Sequence, residues 1–142
     1  MPVVELGKGR HVIAFDIDEE VLKPFSLGYA REAFVKLDSM LDKVLEYRIR
    51  QKFPSEDAQR LIGLMAGSRA NSSFQSIAYK ADILSASQKD RIDKFRSVRN
   101  TLTHNSIGEL EFMVNKNQED VPKFLKSELE KGISIVKELA GG

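Results

Sequence analysis

Ala30-Arg31-Glu32-Ala33-Phe34-Val35-Lys36-Leu37-Asp38-Ser39-Met40-Leu41-Asp42-Lys43-Val44-Leu45-Glu46 decides the fold class. Leu27, Ala30, Phe34, Leu37, Leu41 and Val44 recur at alternating spacings of three and four, the seam of a helix packed lengthwise on others. Ala33, Met40, Leu45 and Ile49 widen the stripe beyond a two-stranded coiled coil and towards a bundle core. The spacing predicts one long helix from about Glu20 or Pro24 to about Phe53, capped by Asp18, with Pro24 tolerated in the first turn. Asp38, Asp42 and Glu46 form an acidic row at helical spacing. By itself such a row is a solvated face.

Downstream, Pro54-Ser55 breaks the helix. Ser55 with Glu56 and Asp57 starts a short one carrying Leu61, Ile62, Leu64 and Met65, which Gly67 ends. Asn71-Ser72-Ser73 introduces another, with Phe74, Ile77, Ala78, Ala81 and Leu84. Ser87 is expected to cap the next, an amphipathic run from Lys89 to His104. Pro122 opens a final helix whose apolar stripe is Phe124, Leu125, Leu129, Ile133, Val136 and Leu139. Upstream, Val3–Leu6 and His11–Phe15 are β-type runs around Gly7-Lys8-Gly9, so the N-terminus suits a small hairpin. A hairpin alone is marginal in water. It needs the main body or another strand, and residues 109–114 are a candidate. The expected fold is all-α: an up-and-down bundle of about five helices with short connections, with the hairpin as a minor addition. Residues 1–18 read as the N-terminal extension and 19–142 as the bundle.

Bulk composition narrows the function classes. The chain has 142 residues, enough for one sizeable core, with 42% hydrophobic and 30% charged residues. A net charge of +1 supplies no global field towards nucleic acid or membrane. The absence of cysteine excludes disulfides and thiolate metal sites, and fits a reducing interior. No run reaches the roughly 18 to 20 apolar residues of a membrane span, and no signal peptide pattern opens the chain. A cytoplasmic protein is expected. No P-loop, nucleophile elbow, zinc set or Glu-x-x-His pair occurs, so neither metal nor cofactor is expected.

Chemistry concentrates in the run from Lys89 to His104. On a wheel of about 100° per residue, Ile92, Phe95, Val98 and Leu102 share one arc, and Arg99 falls inside it. A guanidinium cannot be neutralised, so burial demands an anion, a wet cleft or an interface. Glu46 is one candidate counter-ion. Asn100 and His104, four apart, lie together on the neighbouring face. Arg91, Lys94, Arg96 and Arg99 crowd this helix, as a phosphate-binding patch or as a face alternating with Asp90 and Asp93. A purely structural reading stands beside the chemical one: Arg99 pins two helices through a carboxylate, and His104 with Asn105 ends the helix. His11 carries no assigned role.

Phe74, Ile77-Ala78, Ala81-Asp82-Ile83-Leu84 and then Ile92 to His104 resemble HEPN domains, and among them the mannitol-operon-repressor-like branch. The family motif is Arg, a polar residue, three to five more, then His; Arg99, Asn100 and His104 match it. The likeness spans about residues 25–105 as a helix pattern, and is specific over the last dozen. It implies a bundle of four or five helices, usually a two-fold homodimer. In active members the paired motifs cleave RNA without metal. An imidazole can serve as base on the 2′-hydroxyl and as acid for the leaving oxygen, while arginine clamps the phosphate. That implies His104 as base, Arg99 as clamp and Asn100 as an orienting amide; the candidate RNA contacts Arg91, Lys94 and Arg96 come from the basic crowding on the helix alone. Many relatives, the repressor-like branch included, are regulatory modules that bind protein or nucleic acid. Toxin members often carry Tyr two residues past the His; here Ser106 stands there.

Overall fold

The computed structural model describes residues 3–6, 13–66, 72–104 and 120–141. Two strands, β1 (Val3–Leu6) and β2 (Ile13–Asp16), pair antiparallel with Val3 opposite Asp16 and Leu6 opposite Ile13. The Gly7-Lys8-Gly9 turn, His11 and the candidate strand at 109–114 lie outside the described residues. β1 rests against the last helix. Phe15, Ile17 and Val21 are buried, which fastens this N-terminal piece to the core.

A π-helical turn, Asp18–Leu22, runs into α1 (Lys23–Ser26). Asp16, rather than Asp18, caps it. The Asp16 carboxylate accepts the Glu19 N–H at 3.1 Å, and the Asp16 N–H donates to the Glu20 carboxylate at 2.9 Å. The two bonds satisfy donors that the helix itself leaves open, although the returning carboxylate comes from Glu20 and not from Glu19 as in a capping box.

The single long helix expected from Glu20 or Pro24 is in fact two. Gly28, at φ +93°, turns the chain out of the helix. Its N–H donates to the Phe25 carbonyl at 3.1 Å and the Tyr29 N–H to the Pro24 carbonyl at 2.9 Å. That pair of bonds is a Schellman closure, which favours glycine at this position. Leu27 consequently leaves the predicted stripe and is 65% exposed.

The bundle itself is built on α2 (Ala30–Lys52), which buries Ala33, Phe34, Leu37, Met40, Leu41, Val44, Leu45 and Ile49. Pro54 follows its end, and Ser55 caps α3 (Glu56–Ala66) by accepting the Ala58 N–H at 3.2 Å. Gly67, expected to end α3, lies outside the described residues. α4 (Ser72–Lys80) stops four residues before Leu84. Asp82 adopts φ +60°, and the Ile83 N–H closes on the Ala78 carbonyl at 2.8 Å. Leu84 is still buried, from the connection rather than from the helix.

α5 (Ala86–Thr103) begins two residues earlier than a Ser87 cap would allow. Ser85 is the cap: its hydroxyl accepts the Gln88 N–H at 3.1 Å, and Gln88 accepts the Ser85 N–H at 3.0 Å. α6 (Val121–Gly141) carries Pro122 in its first turn and is capped by the Asp120 carboxylate.

α2 packs against α4, α5 and α6, and α5 packs against α6. Phe34 of α2 stacks on Phe95 of α5 with ring centroids 5.4 Å apart and planes at 14°. Gly132 of α6 lies against that same ring. A Cβ there would fall 2.7 Å from two Phe95 ring carbons and 3.0 Å from Leu37. The result is an all-α bundle with a two-stranded addition. Among the described residues, no helix is long and apolar enough to cross a membrane.

Candidate functional site

The arc predicted on α5 is buried as expected at Ile92, Phe95 and Val98, with Leu102 half-buried. The deeply placed guanidinium, however, belongs to Arg96. Its side chain keeps 10% of its surface exposed, whereas that of Arg99 keeps 24%.

Arg96 uses all three nitrogens. Nε donates to Asp38 Oδ1 at 2.9 Å, Nη1 to Gln75 Oε1 at 2.9 Å, and Nη2 to Asp42 Oδ1 at 2.5 Å. Gln75 passes the network on, donating to Asp93 Oδ1 at 2.5 Å, and Lys89 donates to Asp93 Oδ2 at 3.0 Å. One polar cluster thus ties α2, α4 and α5 together. The acidic row of α2 is therefore not solvated: Asp38 is buried and Asp42 half-buried. Burial raises the Asp42 carboxyl above its ordinary range; Arg96 pulls it back, and the neighbouring Asp38 charge adds to the rise. Burial also pushes Asp93 upward, but hydrogen bonds from Lys89 and Gln75 outweigh it, and its carboxyl ends below the usual value.

Sequence reasoning missed this cluster, although a signal was present. Arg96 and Arg99 are three apart on one helix, and Asp38 and Asp42 are four apart on another. Two such pairs on helices expected to pack can interlock.

Arg99 finds its counter-ion in Asp38, with Nη2 3.5 Å from Oδ2. Glu46 is already taken by Arg50, at 2.9 Å. The Arg99 Nε is buried and makes no hydrogen bond. Its side chain lines a cleft of about 280 Å³ over α2, shared with Val35, Asp38, Ser39, Asp42, Lys43, Glu46 and Phe74.

Asn100 and His104 are exposed. His104 is the C-cap of α5, and its backbone N–H donates to the Asn100 carbonyl at 3.0 Å. Neither lines the cleft of Arg99. Five residues along a helix rotate a side chain by about 140°, so Arg99 and His104 leave α5 in different directions.

The remaining cations of α5 are matched to acids of the same chain. Arg91 makes a two-pronged contact with Glu138 of α6, both bonds 2.8 Å. The bond from Arg91 holds the Glu138 carboxyl below its usual value, and the bond to Glu138 raises Arg91. Lys94 lies 3.3 Å from the buried Glu128, which also receives Lys131 at 3.2 Å. No family model matches this chain, and no curated protein or solved structure is similar enough to count as a match.

Proposed function

We propose that this chain is a cytoplasmic HEPN-like module that works as a homodimer by binding a regulatory partner, in the manner of the mannitol-repressor-like branch, rather than by cutting RNA. One observation carries this reading. Arg91, Lys94, Arg96 and Arg99 all lie against carboxylates of their own chain. Charge already neutralised at close range offers little to a phosphate backbone, whose binding rests on unpaired lysine and arginine. With a net charge of +1, the chain has no other large reserve of positive field.

A second reading rests on Arg99. Its Nε lacks a hydrogen bond and its contact with Asp38 is long. That guanidinium retains donors for a phosphate. A metal-independent endoribonuclease would use it as clamp, with His104 as base and Asn100 as orienting amide, two copies facing across a two-fold axis.

Incubation of the purified chain with mixed RNA in EDTA separates the two. The module reading expects intact RNA even at high protein excess. Cleavage that disappears in both His104→Ala and Arg99→Ala would establish the nuclease instead. Light scattering behind size exclusion tests the homodimer; a monomer at micromolar concentration would remove it.

A further inference from the structure

We propose that the cleft over α2 is a binding site for a small organic monocarboxylate. Its volume of about 280 Å³ falls just below the usual range of ligand pockets, which suits a fragment-sized molecule. Val35 and Phe74 supply apolar wall. Ser39, Lys43 and Arg99 supply donors, and Ser39 and Lys43 stand one turn apart on α2.

Charge selects the ligand. The lining carboxylates Asp38, Asp42 and Glu46 are met by Arg96, Arg99 and Arg50. Lys43 is exposed and has no ion pair among the described residues, so one positive charge is left over. A monoanion balances it. A phosphate dianion would overshoot beside three carboxylates, at distances where like charges repel strongly.

Arg99 is built to respond. Its Nε is buried without a hydrogen bond, an arrangement that disfavours its present rotamer. Asp38 is bound at 2.9 Å by Arg96 and only at 3.5 Å by Arg99. Arg99 can therefore turn to a ligand carboxylate without leaving Asp38 alone. The flat carboxylate matches the guanidinium fork, and Lys43 adds a point charge from the opposite helix.

The site does not depend on whether the chain acts on RNA. The test is titration of the full chain with benzoate, acetate and inorganic phosphate, followed by amide chemical shifts. Saturable shifts with benzoate at Ser39, Lys43 and Arg99 are expected at millimolar concentration, with acetate weaker and phosphate weakest. Lys43→Ala, an exposed change that leaves the fold intact, should weaken benzoate about tenfold, as should Arg99→Lys checked for folding by its melting curve. Absence of saturable shifts overturns the site. So does phosphate binding more tightly than benzoate, or benzoate binding unchanged in both variants.

Discussion

Arg96 and Arg99 differ by three positions and by an order of consequence. Arg96 satisfies two carboxylates and an amide in a largely buried setting. Removing it leaves Asp42 without its ion pair and Asp38 with only the 3.5 Å contact from Arg99. Arg96→Ala is expected to cost about 3–5 kcal/mol, read as a drop in the urea midpoint. Arg99→Ala leaves Asp38 paired with Arg96 and should cost under about 1 kcal/mol. An equal loss for both would mean that Asp38 depends on Arg99. Proton linkage acts through Asp93, at the edge of this network, and through Glu138, paired separately with Arg91. Glu138 and Asp93 have folded values below their ordinary 4.5 and 3.8. Their contribution is fully present above those values and is lost as pH falls through the folded ones. Asp42 runs the other way, since its value is raised above 3.8. Acidification protonates it first in the folded state, which partly offsets the loss. Urea midpoints should therefore fall on the acid side of about pH 4.5, and Glu138→Gln should flatten that fall.

Helix ends explain where the elements stop. Gly28 closes α1 at φ +93°, and Asp82 does the same after α4 at φ +60° with a side chain that this region disfavours. Asp82→Gly should raise stability by about 1 kcal/mol in thermal melts, because the Cβ penalty disappears. Gly132 works by size rather than by φ. The stacked rings of Phe34 and Phe95 cannot retreat from a new methyl. Gly132→Ala gains helix propensity of about 1 kcal/mol but should lose about 1–3 to overpacking, so the urea midpoint falls. The apolar stripes of α2, α5 and α6 were legible because spacing alone reports a buried face. Cap positions were less legible. Ser85 and Ser87 are both good caps, and only the placement of Gln88 three residues after Ser85 chooses between them. The break at Gly28 is a single residue inside a run that is otherwise helical.

At the scale of the molecule, sequence pattern carried the all-α class because burial periodicity is local, whereas charge pairing is not. Asp38 and Arg96 are 58 residues apart, and Asp42 and Arg96 are 54 apart. Nothing near Asp38 announces its partner, so a row of acids reads as wet until the second helix is in place. For the same reason Arg99 looked like the buried cation. A wheel ranks residues by angle, and cannot show that two carboxylates wait under Arg96. The cleft was illegible too, since Phe74, Ser39 and Arg99 come from three helices.

The matching of cations to acids along α5 bears on how the protein meets other molecules. Opposite charges a few ångströms apart cancel beyond a Debye length, leaving that side almost silent at a distance. A polyanion drifting past would feel no pull, and no steering would hasten its arrival. Encounter rates should then be ordinary and nearly indifferent to salt, with recognition decided only after surfaces touch.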